Sequence, residues 1–265
     1  MESSAPRAGV FRKQRVGAPR AFFACEAAGL RWLAVPGGPR IAAVLDVGED
    51  HLDLERLAPA SPTREAAREL GSRLARLHDA GAAAFGAAPD GWDGDGFFGP
   101  LDQPLPMRAS AHATWGAFHA EARLEPLRAD LASRGRLSPA AADGLDRVTD
   151  ALRAGRWDDA DGPARVHGDL WSGNVLWTAD GAVLIDPAAH GGHRMTDLAM
   201  LELFGAPHLA AVREGYDAVH PLPAGDDHTV ALHQLYPLGM HAVLFGGGYV
   251  GTFERLLDRV ARRAR

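Results

Sequence analysis

The sequence predicts an α+β fold in two unequal lobes: a small β-rich lobe over residues 1–57 and a larger, mainly helical lobe over residues 58–265. Two observations carry this. In the first quarter, short aliphatic runs at 9–16, 41–47 and 51–57 alternate with turn signals. Beyond residue 58, apolar residues recur at helical spacing instead. The length, 265 residues, suits one large domain or two lobes with a sizeable core. A net charge of −6 lacks the basic footprint of a nucleic-acid binder. One cysteine, Cys25, forms no internal disulfide and fits a reducing, cytoplasmic setting. The first residues, MESSAPRAGVFRKQ, lack the apolar region of a signal peptide, and no apolar run is long enough for a bilayer, so no membrane partner is expected. The sequence carries no signal for oligomeric state.

In chain order, GVFRKQRV (9–16) reads as a strand carrying Lys13. AFFACEAAGLRWLA (21–34) has a 3.6-residue apolar period and reads as a helix carrying Glu26. Strands at 41–47 and 51–57 flank a turn at Gly48–Asp50. Ser61 or Thr63 caps a helix running to about His78. Residues 80–108 are rich in Gly, Pro and Asp and read as a long loop, which in a compact domain is often functional. Helices follow at 112–133 and 138–154. Residues 195–263 read as mostly helical, with breaks near Pro207, Pro221–Gly225 and Gly246–Gly248.

The chemistry concentrates in VHGDLWSGNVLWTADGAVLIDPA, residues 166–188. Asp169 precedes Asn174 by five residues, and Asp186 follows two apolar runs joined by Ala179-Asp180-Gly181, a tight-hairpin signal. Phosphoryl transfer from ATP needs this set: a carboxylate at the acceptor hydroxyl, hard oxygen ligands for Mg²⁺, and a cation on the phosphates. Asp169 is the expected base, and Asn174 and Asp186 the expected metal ligands. His167 is expected to hold the loop backbone.

Composition singles out two more positions. Of 28 cationic side chains only Lys13 is a lysine, and Asn174 is the only asparagine. Lys13 on a strand, thirteen residues before Glu26 on a helix, matches a lysine–glutamate pair that would hold the nucleotide phosphates. A planar guanidinium replaces such a point charge poorly.

HGDLWSGN, followed by IDPAAHGGHR and DLAMLELFG, resembles the fructosamine kinase (ketosamine-3-kinase) family, within the aminoglycoside phosphotransferase and choline kinase group. FFACEAAGLRWLA, LDLERL, the FFG…Q segment at 97–103 and WGAFHAEARLEPL extend the resemblance over most of 9–260. It implies a two-lobed protein-kinase-like fold, ATP and Mg²⁺ as cofactors, and phosphate passed to the 3-hydroxyl of a small-molecule or protein-bound ketosamine. The sugar would be ribulosamine, erythrulosamine or fructosamine, and the role deglycation. Glu55 to Leu57 resembles the hinge whose backbone meets adenine. The family also places two strands and a Gly-rich loop ahead of the lysine strand. Here twelve residues precede Lys13, with Gly9 their one glycine, so the small lobe is expected to lack that segment and expose a sheet edge.

Other residues have plainer readings. Cys25 is expected in the helix core. His190 and His193 lack a third metal ligand and suit a substrate-pocket or loop role. Gly246–Gly248 has no Lys or Ser/Thr at P-loop spacing and suits a helix break. Asp197 is expected to anchor loop and helix. Trp115, Phe118 and Phe204 suit the core, whereas Trp171, beside the catalytic loop, is a candidate platform for a sugar ring. Two competing functions remain open at this level. One is a kinase of the same fold for an aminoglycoside, choline or homoserine, for which Asp90, Asp93 and Asp95 would suit a cationic acceptor. The other is a pseudokinase, suggested by the absent phosphate loop.

Overall fold

The computed structural model describes residues 9–222 and 227–264. Residues 1–8, on which the expected lack of a phosphate-covering loop bears, and Pro223–Gly225 of one expected break, lie outside them.

β1 (Val10–Gln14) pairs antiparallel with β4 (His51–Glu55), Lys13 facing Leu52, and β4 pairs with β3 (Val44–Val47) in the order β1-β4-β3. The sheet needs an apolar cover, and α1 (Phe22–Leu33) supplies it. Phe22, Phe23, Ala27 and Leu30 are buried with Leu52, Leu54 and Val183, which removes their side chains from water. The single strand expected at 41–47 is instead two. β2 (Arg40–Ile41) pairs parallel with a distant strand, and the chain then crosses to β3 through Ala42, whose N–H donates to the Leu184 carbonyl at 3.0 Å.

The large lobe opens with α2 (Arg64–Asp79), whose first turn is capped by Thr63: its Oγ1 accepts from the Ala66 N–H at 3.1 Å. Within 80–108 lie two strands missed in the sequence, β5 (Gly96–Phe98) and β6 (Leu105–Met107), paired antiparallel. Three-residue strands among Gly and Pro carry too little alternation to be read. α3 (Trp115–Phe118) continues through a π-helical stretch, His119–Leu124, into α4 (Glu125–Ser133). The π stretch buries Arg123, whose guanidinium lies over the Phe118 ring at 4.5 Å and donates to the Arg108 carbonyl at 2.8 Å, tying down the chain after β6. α5 (Pro139–Arg153) starts at the Ser138 cap.

β7 (Ala164–Val166) leads into the motif region. β8 (Val175–Thr178) and β9 (Gly181–Leu184) form the expected hairpin, and β9 receives β2. β10 (His190–Gly192) folds back on β7, a pairing the sequence did not signal. The rest is helical: α6 (Met195–Phe204), α7 (Leu209–Asp217), α8 (Asp227–Phe245) and α9 (Gly248–Ala261). α2 and α7 touch backbone to backbone, because Gly71 lies against the Val212 carbonyl and Gly215 against that of Arg68. A β-carbon on either would fall 1.9 Å from that oxygen. Gly246 and Gly247, both at positive φ, break the chain between α8 and α9, so this glycine run is a helix junction. Arg136 secures the end of α8, donating to the carbonyls of Ala242 and Val243 at 2.9 and 2.6 Å.

Candidate active site

The loop after β7 is held from below by one buried carboxylate. Asp197, in the first turn of α6, accepts the His167 N–H at 2.8 Å and the Gly168 N–H at 2.9 Å. Its Oδ2 also faces His78 Nε2 at 3.1 Å, and His78 Nδ1 meets the Tyr216 hydroxyl at 2.7 Å. Arg194 donates to that hydroxyl at 3.1 Å, so the polarity runs one way from Arg194 through Tyr216 and His78 to Asp197. Gly168 has φ 81°, and a β-carbon there would meet the Ala188 carbonyl at 2.2 Å, so the loop needs glycine at this position. His167 Nδ1 accepts the Asp169 N–H at 3.3 Å, which leaves its Nε2 to donate to the Ile185 carbonyl at 2.9 Å. The imidazole is buried, its pKa is lowered by that burial, and both nitrogens are spent on backbone, as its supporting role requires.

The hairpin then returns the chain, and the Ile185 N–H donates to the Asn174 carbonyl at 3.1 Å. Asn174 Nδ2 donates to the Asp169 carbonyl at 2.8 Å, to Asp169 Oδ2 at 3.1 Å and to the Asp186 carbonyl at 3.3 Å. All three bonds use the nitrogen, which leaves the amide oxygen for a metal ion. Asp186 has φ 54°, a left-handed backbone uncommon outside glycine, of the kind that gathers at functional sites. Its side chain is 43% exposed toward the cleft. Burial pushes the Asp169 carboxyl up to about 7; Asn174 works against this, and Asp186 and Asp197 add to it.

Lys13 reaches in from β1. Its Nζ donates to both Glu26 oxygens at 2.8 Å and to Asp186 Oδ1 at 3.1 Å. Burial opposes the ammonium charge, but the two carboxylates outweigh it and its pKa lies above the ordinary lysine value. Residues 173 positions apart are thus joined through one amine.

The structure brings Lys13, Glu26, Asp169, Trp171, Asn174 and Asp186 to one cavity of about 320 Å³. It does not bring the others. His190 is buried in β10, with Nδ1 on the Ala188 carbonyl at 2.8 Å and its ring against Phe118. It does not line the cavity. Glu55 and Leu57 also lie outside the cavity lining. The Glu55 N–H is used by the Ala43 carbonyl and its side chain by Arg40 and Ala43, while Leu57 packs against the small-lobe core. Asp90 lies at a separate hollow with Arg31, Trp32 and Arg165. Cys25 borders the cavity rather than the core, and burial raises its thiol to about 11.

The sequence reading missed two walls of the cavity. One is the β5–β6 segment, with Phe97, Phe98, Leu101 and Met107; the FFG…Q spacing was its only signal. The other is the end of α8, with His241, Leu244 and Phe245, on a helix too apolar all round to show which face matters. Away from the cavity, His193 meets Asp159 at 3.1 Å and Arg194 meets Asp161 at 3.0 Å, so the carboxylates of this acidic cluster already have partners.

The chain is similar to known proteins along most of its length. The family model described as fructosamine kinase matches residues 4–263. The chain is 35% identical to the "probable ketoamine kinase" of Synechocystis sp., covering 91% of this chain and 79% of that protein. It is 36% identical to that of Thermus thermophilus, covering 91% and 83%. A solved structure from Thermobifida fusca, assigned as a fructosamine-3-kinase, is 44% identical with a TM-score of 0.86, over 96% of this chain and 85% of that one. An aminoglycoside phosphotransferase structure, 17% identical with a TM-score of 0.59 over 97% and 92%, shares the two-lobed protein-kinase-like fold.

Proposed function

Because the chain belongs to the fructosamine kinase family, we propose that it passes the terminal phosphoryl group of ATP to the 3-hydroxyl of a ketosamine. One observation carries the reading: Lys13, from the far end of the chain, faces one cavity with Asp169, Asn174 and Asp186. Asp169 would take the acceptor's hydroxyl proton as the oxygen bonds to phosphorus and the bond to the departing ADP breaks. A base pushed up to about 7 is matched to that task near neutral pH. Lys13, oriented by Glu26, would hold the phosphate tail.

The donor set fits Mg²⁺. Asn174 offers an unspent amide oxygen, and Asp186 a carboxylate bonded to Lys13 through only one of its oxygens. When bound, Mg²⁺ supplies charge neutralisation on the phosphates. A phosphate at C3 leaves readily once C1–C2 enolises, which would free the amine, so the reading extends to deglycation. A cytoplasmic setting suits the single cysteine. Among the described residues, no helix is long and apolar enough to cross a membrane.

The test is ADP release with ribulosyllysine, erythrulosyllysine and fructosyllysine, beside an aminoglycoside, choline and homoserine. Ketosamine-dependent release that Asp169→Ala abolishes supports the reading. Release with only the other acceptors, or equal release in the variant, overturns it.

A further inference from the structure

The α8 wall of the cavity differs in chemistry from the catalytic wall. His241 Nδ1 lies 2.8 Å from the Pro237 carbonyl oxygen, one turn back on the same helix. A carbonyl only accepts, so Nδ1 carries the hydrogen and Nε2 keeps a lone pair. No donor among the described residues is bonded to it. The ring is wedged against Phe204 at 4.5 Å, Tyr249 at 5.3 Å and Phe245 at 5.6 Å, and Phe204 makes an edge contact with Trp171 at 6.4 Å. Five rings therefore run from the catalytic loop outward. Trp171, Phe245 and Tyr249 remain 40%, 56% and 38% exposed, an unusual cluster of open aromatic surface.

Charge decides what this wall accepts. The cavity lining carries three carboxylates, Glu26, Asp169 and Asp186, and one cationic side chain, Lys13, already bound to two of them. No arginine lines it, so an anionic group has no partner on this wall. Aromatic faces attract cations, and a neutral imidazole accepts from one. Burial lowers the His241 pKa and keeps the imidazole neutral.

We propose that this wall seats the amine half of the acceptor: a protonated secondary alkylamine donates an N–H to His241 Nε2, with its carbon chain along Phe245. This rests on the ketosamine reading and narrows it to cationic alkylamine adducts. His241 is a positioning residue; it takes no part in proton transfer.

The test compares ribulosyllysine with the matching amine-free 1-deoxyketose, in wild type, His241→Phe and His241→Gln. Phe keeps the ring and removes the lone pair; Gln restores an acceptor. The expected result for His241→Phe is a rise of about tenfold or more in KM for the ketosamine, the size of a lost hydrogen bond to a charged group. Its kcat should stay nearly unchanged, its KM for the deoxyketose should not move, and Gln should recover part of the loss. Equal loss on both acceptors, or none on either, overturns the proposal. Phe245→Ala, at an exposed position, should weaken alkylamine adducts and spare the deoxyketose. Calorimetric binding of ribulosyllysine without ATP separates this proposal from the kinase reading. His241-dependent binding without turnover would fail the kinase reading alone, and His241-independent binding would fail the proposal alone.

Discussion

Lys13 and Asp186 meet at 3.1 Å across the cleft, with Glu26 on the other side of the same ammonium. Lys13→Met would leave two carboxylates facing each other, one of them buried. We expect kcat/KM for ATP to fall about 100-fold or more, the scale of losing one organised electrostatic group. Lys13→Arg should not restore it. The double variant Lys13→Met/Glu26→Gln should regain melting temperature without activity, which thermal denaturation beside kinetics would check.

Asp169→Asn should lower kcat by about 10²–10⁴, the usual worth of a positioned base. Its stability should move the other way. Burial raises the Asp169 carboxyl, so at neutral pH the charged form favours the unfolded chain, and removing the charge should raise the denaturation midpoint. A lower midpoint would show that Asp169 contributes to holding the loop.

Asp197→Asn tests the support beneath the loop. One carboxylate accepts from two backbone amides and faces His78, and an amide cannot accept on both sides. A loss of about 3 kcal/mol in urea unfolding is expected, together with reduced kcat. An unchanged midpoint would mean that the loop holds itself.

Acid should unfold the protein through its buried imidazoles. Burial lowers His119 and His190 to about 3, and Arg123 adds to the effect at both. Between that value and the ordinary histidine pKa, the unfolded chain binds protons that the folded chain refuses, so stability is full near pH 7.5 and falls as pH drops. By pH 5 each should cost about 2 kcal/mol. Urea titrations at both pH values measure the sum, and His119→Phe should make the slope shallower. A flat profile would contradict the burial argument.

The fold and the candidate site were legible for different reasons. Asp169, Asn174 and Asp186 could be brought together on paper because a tight hairpin joins them, and a hairpin is local. Lys13 and Glu26 could be paired because strand and helix were both clear. The surroundings of His190 were not legible because β10 is three residues long and its partner, β7, lies 24 residues earlier, beyond any periodic signal. His241 was passed over because its role depends on where α8 ends relative to Trp171, a tertiary relation that an all-round apolar helix does not encode. The division of 41–47 into β2 and β3 was hidden for the same reason: β2 is a strand only because β9 lies beside it.

The scarcity of lysine has a chemical consequence. Reducing sugars condense with uncharged amines, and an ε-amino group is the commonest one a protein presents. This chain offers one, 11% exposed and kept protonated by two carboxylates. Its other cationic side chains are guanidinium groups, whose free form is so strongly basic that they stay protonated near neutrality. The chain therefore carries almost no side-chain amine on which a reducing sugar can condense.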